Sequence, residues 1–558
     1  MVYSQGAMKR KASDYSDKDA SKKLKGNDSS ASRHHQQKNL KQERKGNDRH
    51  FEMITEAKKI WENLRRGDIS RDETKDLMQK IMNVITGHVQ EIIFKHDASR
   101  IVQTCLKKGN AEQRGQIAKE LTGKYEILAK SMYGKFIVLK VLEYCHKHRD
   151  QVLSEFRTHV RKLIRHREAS AVIESFYAQY ANGAQRQELL SEFYGPEMTL
   201  FNRGGGAKTL DELLTNLPEK KDSVLRFMSE TLMGCMDKGT VVHSIVHKAL
   251  YQFLTLADPK GRENIIAHLR ENLQDILHTR EGAKVAMISL SYSTPKDRKT
   301  IIKAFKPHVV KIAQDEYGYL VLIRFLDVMD DTVLINKALI SELCKQAKTL
   351  FADKFGRRVF LYILTGRNTR YLSPETVQQI TEGDEIRQSK KDPEIRAKEV
   401  LDGCSPALIQ TVAEDAPILM REKLSSQVVQ EIMLHATGDK TAAVNAILNL
   451  ASENIEKENH IIEDRFGNRI IKAMVKADNA EAMNDKAVEP LGFAPKLLER
   501  IEPHLGHFAT NFGSFVVLSL LEEPSTKEQT KKALKPHKKE IRKAADENKG
   551  AKMIVELL

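Results

Sequence analysis

The stretch HDASRIVQTCLKKG, residues 96–109, sets Ser99, Arg100 and Gln103 on what its spacing predicts to be one helical turn. A hydroxyl, a guanidinium and a carboxamide side by side can bond to one ligand, and the guanidinium can also stack on a flat ring. Ile101, Val102, Cys105 and Leu106 form the opposite stripe, so the segment reads as an amphipathic helix with one packed and one polar face. On a single helix such a polar stripe is ordinarily a solvated surface. What makes it a candidate site is its repetition.

A small residue followed by an apolar pair recurs along the chain. Ala98 to Gly134 spans 36 residues, Gly134 to Ala169 35, Gly282 to Gly318 36, Gly318 to Gly356 38 and Gly513 to Gly550 37. Eleven copies are readable: HDASRIVQTCL, MYGKFIVLKVL, REASAVIESFY, DKGTVVHSIVH, REGAKVAMISL, EYGYLVLIRFL, KFGRRVFLYIL, KLSSQVVQEIM, RFGNRIIKAMV, NFGSFVVLSLL and NKGAKMIVELL. Each has the small residue where an N-cap or tight turn belongs, and the stretches between copies have room for two further short helices. A unit of this size cannot bury its apolar face alone, so neighbours must stack. The expected fold is all-α, an α-solenoid of about eleven three-helix repeats.

The gaps Ala169–Gly239 and Gly356–Ser425 are about double the period, and Gly467–Gly513 is stretched. Insertions or degenerate helices are expected near residues 201–215, 366–400 and 477–495, the first two being candidate joints where the array changes direction. The chain divides into a tail (1–50), a helical cap with repeats 1–3 (51–200), and repeats 4–11 (201–558).

Composition agrees with that architecture. The 558 residues exceed one ordinary core, proline is scarce, and alternating strand patterns are missing. Five scattered cysteines with no CxxC argue against a disulfide framework or a zinc site and suit a reducing compartment. No transmembrane run or signal-peptide core is readable, so a soluble intracellular protein is expected. The net charge is +15, of which residues 1–50 carry +7 and the rest +8, a balance suited to a polyanionic partner. The tail lacks large apolar side chains and is expected to be disordered. Its two clusters, Lys9-Arg10-Lys11 and Lys22-Lys23 with Lys25, stand ten residues apart like a bipartite nuclear localisation signal.

The frame of a small residue, an Arg or aromatic, then two apolar residues resembles the Puf (Pumilio) repeat. The eleven-fold array, its interruptions, the basic tail and the preceding AKKIWENLRRGD resemble in combination the nucleolar Puf-A/Penguin branch. The resemblance implies that three positions on each copy's helix face a base across a concave surface, two reading its edge and the one between stacking on it. Ser99, Arg100 and Gln103 occupy them. Elsewhere the pattern is mostly broken. Ser170 and Glu174 flank Ala171; Ser426, Gln427 and Gln430 lack a strong stacker; Asn468 and Arg469 precede Lys472; Ser514 and Phe515 precede Leu518. Lys135 with Phe136, Lys284, Arg357 with Arg358, and Lys552 place cations where neutral amides would be needed, and cations contact phosphates without reading sequence.

The resemblance further implies an L-shaped array that binds RNA or DNA, including double-stranded nucleic acid, with little sequence preference. Its implied partners are pre-ribosomal RNA and the proteins of the pre-60S particle, with control of messenger RNA translation in some members, and its implied location is the nucleus and nucleolus. Two rivals remain at this stage: a sequence-specific Puf repressor of messenger RNA, and a HEAT- or armadillo-like scaffold for proteins.

Other motifs carry less. GGGAKT (Gly204–Thr209) lacks the Gly-Lys step and preceding strand of a phosphate loop. His243 and His247 stand four apart without a third metal ligand and read as ordinary helix residues. No nucleophile, base and orienter share a spacing, so neither an enzyme nor a cofactor is expected.

Overall fold

The structure, a computed structural model, describes residues 50–201, 208–456, 459–479 and 490–558. The tail with Lys9, Arg10, Lys11, Lys22, Lys23 and Lys25, residues 204–207 of GGGAKT and residues 480–489 of the third insertion lie outside the described residues. Among the described residues there is no β-strand, and no helix is long and apolar enough to cross a membrane. The chain forms two compact units, Met1–Val152 and Leu153–Leu558.

In the first unit two copies of the recurring helix, α1 (His96–Lys108) and α2 (Gly134–Tyr144), pack side by side. The helices Phe51–Leu64 and Arg71–Ile85 pair with each other and cover α1. Trp61 is the anchor of this cap: it is 6% exposed, and its indole Nε1 donates to Thr104 Oγ1 at 2.7 Å, which satisfies the one polar group of a buried ring.

In the second unit nine further copies follow, each packed on its successor. They are α3 (Ala169–Ser175, continued by a π-helical turn over Phe176–Tyr180), α4 (Ser244–Leu256), α5 (Arg280–Tyr292), α6 (Gly318–Val328), α7 (Gly356–Thr365), α8 (Ser425–His435), α9 (Gly467–Ala477), α10 (Ser514–Glu522) and α11 (Lys549–Leu557). Shorter helices lie between them as the spacing predicts, for example Pro295–Phe305 and Val309–Gln314 ahead of α6.

The fourth copy is shifted from its expected place. Gly239, φ +66°, belongs to a turn, and α4 begins only at Ser244. Superposing the burial pattern of α4 on α1 puts Val246 at the small position, which restores a 36-residue step to Gly282. DKGTVV mimics the motif because it too has a glycine ahead of an apolar pair.

The small residue is explained by close approach rather than capping. A Cβ on Gly318 would lie 2.7 Å from the Ile312 carbonyl oxygen, and one on Gly282 only 1.8 Å from that of Ile276, so a larger side chain would push the helix off the one before it. The cap sits three residues earlier. Asp315, Asp353 and Asp464 accept from the backbone N–H of Gly318, Gly356 and Gly467 at 2.7–2.8 Å.

The first two insertions are ordered where described. Residues 183–201 and 208–237 supply helices, among them Lys221–Asp237, and Thr209 of GGGAKT caps Leu210–Asn216 by accepting from Glu212 N–H. After α7 the chain forms the helix Pro374–Thr381, crosses a strap at 382–392 and enters the long helix Pro393–Leu419. The strap lies over the carbonyl ends of α5 and α6, where helices leave acceptors without partners. Two buried arginines supply the donors, and a third ties the strap to the body beneath it. Arg298 donates to Leu290 O at 2.9 Å, Ser291 O at 3.1 Å and Val328 O at 2.7 Å; Arg396 donates to Asp327 O; both also reach strap carbonyls, at Gln388 and Lys391. Arg324, 1% exposed, donates to Asp384 at 3.2 Å and to Ile380 O. A guanidinium at a helix C-terminus meets its negative end, which offsets the cost of burying the charge.

All five cysteines are free. Two of them nevertheless meet, Cys344 and Cys404, with Sγ atoms 3.8 Å apart.

Candidate nucleic-acid interface

The first position of the expected triplet does not face open solvent. Ser99 is fully buried; its hydroxyl donates to Tyr133 O at 3.2 Å and accepts from Gln103 Nε2 at 3.0 Å. Asn468 donates to Phe512 O at 3.1 Å and Ile462 O at 2.7 Å, and Ser514 donates to Asn548 at 2.9 Å. His247 of α4 bonds Thr279 at 2.7 Å, and burial holds its imidazole neutral, with a pKa of about 3. Tyr133, Phe512, Asn548 and Thr279 all lie in the turn ahead of the next recurring helix. In these four copies the first position is therefore an inter-repeat fastening. Ser170 and Ser426 are likewise buried, Ser426 donating to Lys423 O.

Across the three positions, cations pair with rings. Lys248 and Lys284 lie 5.7 and 5.2 Å from the centre of the Tyr251 ring, and Lys472 lies 5.1 Å from that of Phe515. Arg358 donates to the Tyr319 hydroxyl at 2.9 Å and covers the stacked rings of Tyr319 and Phe355. Lys135 lies 5.0 Å from Phe136, and Arg100 5.7 Å from Trp61 of the cap. Each ring face holds its cation in place while the charged head stays reachable. Arg357 instead points inward to Gln427; burial lowers its pKa, as it does that of Lys472. Arg469 and Lys552 are exposed, and Phe515 is half-buried. Glu174 accepts from Ile245 N–H, and Gln430 donates to Glu431, so these two are engaged within the protein.

A further row of cations emerges two residues ahead of the small residue: Arg167, Arg280, Lys354, Lys423 and Arg465, all exposed. In the sequence this row is the leading Lys or Arg of five of the recurring segments, outside the expected triplet. In three repeats this cation stands four residues before a second one: Arg280 and Lys284, Lys354 and Arg358, Arg465 and Arg469. Like charges at that spacing repel. Between α8 and α9 the row borders a cleft of about 150 Å³ that Arg370, Lys423, Arg465 and Arg469 surround, with Gln427 and Gln430 on its wall.

Comparison with known proteins accounts for the array. Pumilio homology domain family member 6 of Schizosaccharomyces pombe is 35% identical over 535 residues, covering 94% of this chain and 83% of that one. The chain belongs to the Pumilio-repeat family. Pumilio homolog 3 of Homo sapiens is 35% identical over 555 residues, covering 97% of this Pumilio-repeat chain and 84% of its own. The Pumilio-family RNA binding repeat matches residues 98–122 and 308–343, and the CPL (NUC119) domain matches residues 352–487, which hold the strap, the long helix and the cleft. Among solved structures, the crystal structure of human Puf-A covers 91% of this Pumilio-repeat chain and all of its own at a TM-score of 0.85 and 34% identity, and the structure of human Puf-A in complex with DNA matches equally.

Proposed function

We propose that this protein binds RNA and DNA mainly through phosphates, with little dependence on base sequence. The observation that carries the reading is the pairing, in three repeats, of the turn cations with those on the helices, against a first position that four copies already engage in hydrogen bonds to the next repeat's turn. A strand laid along this face meets Arg280, Lys284, Lys354, Arg358, Arg465 and Arg469, which bond phosphate oxygens. Base edges meet few free donors or acceptors. Phe136 and Phe515 offer exposed or half-exposed rings on which a base can stack, and Arg100, Lys135, Lys472 and Lys552 add charge. Ser99, Gln103, Asn468, Ser514 and Arg357 then act by holding the array rather than by touching bases.

The reading extends to the cell. The basic tail supports delivery to the nucleus, and the likeness to the Puf-A/Penguin branch supports a nucleolar role in assembling the large ribosomal subunit on pre-ribosomal RNA, with messenger RNA as a further target. The protein acts as a scaffold or chaperone, without turnover. Crosslinking in cells with sequencing of the bound positions tests this. Reads concentrated on ribosomal precursor RNA without a shared short motif are expected; reads on messenger 3′ regions with a common motif would replace the reading with a sequence-specific repressor.

A further inference from the structure

We propose that the cleft between α8 and α9 is a discrete phosphate-binding site that anchors one phosphodiester of a bound nucleic-acid strand. The inference rests on the nucleic-acid reading and goes further, because it locates a saturable site where that reading needs only a diffuse field.

Arg465 enters the cleft from the turn ahead of α9 and Arg469 from the first turn of that helix, Lys423 comes from the turn ahead of α8, and Arg370 comes from the segment after α7. None of the lining side chains is acidic. The carboxylate that pairs with a lining cation, Glu431, is buried and already engaged: it accepts from the Tyr371 hydroxyl and from Gln430 at 3.1 Å, and faces His435 at 3.2 Å and Arg370 at 3.5 Å. Glu422 and Asp464, beside Lys423 and Arg465, are taken up by backbone N–H groups at the starts of α8 and α9. Lys423, Arg465 and Arg469 have no carboxylate partner among the described residues. Convergent cations without a counter-charge are costly for an isolated protein and become favourable once an anion sits among them. The cleft's volume equals about five waters, which suits a phosphate group with part of its hydration and excludes a stacked base pair.

A nucleic acid fits better than an isolated phosphate. The Arg465–Arg469 spacing recurs at Lys354–Arg358 and Arg280–Lys284, so the same cation pair stands at matching positions of α9, α7 and α5, a repetition that a repeating phosphate backbone can follow. A phosphopeptide presents one such group and leaves the rest unmatched.

The test titrates the full chain with inorganic pyrophosphate at fixed ionic strength, beside an oligouridylate and a phosphoserine peptide. The variants are R465Q/R469Q, with K527Q, at an exposed lysine outside the cleft, as a control. The wild type and K527Q are expected to show one saturable pyrophosphate site that competes with the oligouridylate. Loss of two charged hydrogen bonds should weaken that site about 100-fold in R465Q/R469Q, and R465K/R469K should recover most of it. Oligouridylate binding without a saturable pyrophosphate site would overturn the cleft and leave the nucleic-acid reading standing. Failure to bind either would overturn both. Tighter capture of the phosphoserine peptide than of the oligouridylate would overturn the assignment to nucleic acid.

Discussion

Replacing Arg324 by methionine tests whether the buried arginines hold the strap. The guanidinium lies within 3.2 Å of Asp384 and 3.7 Å of Asp327, and it fills the space that a Cβ on Gly383 would need. Breaking a fully buried ion pair costs about 3–5 kcal/mol. Here Asp384 is a quarter exposed and keeps Arg367, which donates to it at 2.9 Å, so the loss is about 2–3 kcal/mol. In a repeat array that energy is expressed locally. Hydrogen exchange of peptides from 380–400 should therefore accelerate about 100-fold, while peptides from α9 to α11 stay unchanged. The effect has a pH signature. Burial raises the pKa of Asp327, opposed chiefly by Arg324. A carboxyl whose folded pKa is raised favours folding most at low pH and loses that contribution as pH rises through the folded value. Without Arg324 the pKa rises further, so the defect is largest at neutral pH and shrinks as acidification protonates Asp327. Equal acceleration at both pH values, or none, would refute the account.

Three further outcomes are expected. Gly282→Ala places a methyl 1.8 Å from the Ile276 carbonyl oxygen and should destabilise the start of α5 by about 3 kcal/mol, seen as faster exchange in 276–290; unchanged exchange would mean that close approach does not explain the small position. Arg469→Gln should lower affinity evenly across RNA sequences and reduce the slope of log K against log salt by about 1, whereas a sequence-dependent loss would point to base reading. Hydrogen peroxide should couple Cys344 to Cys404 before it touches Cys105, Cys145 or Cys235, since those thiols are buried singly and pushed up to about 12, 11 and 11; peptide mapping that finds one of the latter modified first would contradict the geometry.

The architecture was legible because a helix's apolar stripe and its glycine mark it wherever they recur. Ten of the eleven recurring helices lie where that frame puts them, and the exception arose because Gly239 precedes an apolar pair without starting a helix. The site was less legible. Sequence spacing places Ser99, Asn468 and Ser514 on the polar side of a helix but does not say that the next repeat's turn comes within hydrogen-bonding distance. The strap hides for a similar reason: nothing local distinguishes Arg298, Arg324 and Arg396 from solvated arginines, because each has a deciding partner remote in sequence, Val328 O and Gln388 O for Arg298, Asp384 for Arg324 and Asp327 O for Arg396. The turn cations were visible as letters, and became a row only once the helices were stacked.

Trp61 is the chain's single tryptophan, and it is sealed between the cap and α1. Its emission consequently reports on the first unit alone. A denaturation followed by tryptophan fluorescence and by far-ultraviolet circular dichroism measures two different things, the release of one indole and the melting of every helix. Where the two curves part, the difference gives the thermodynamic independence of the first unit without any label being introduced.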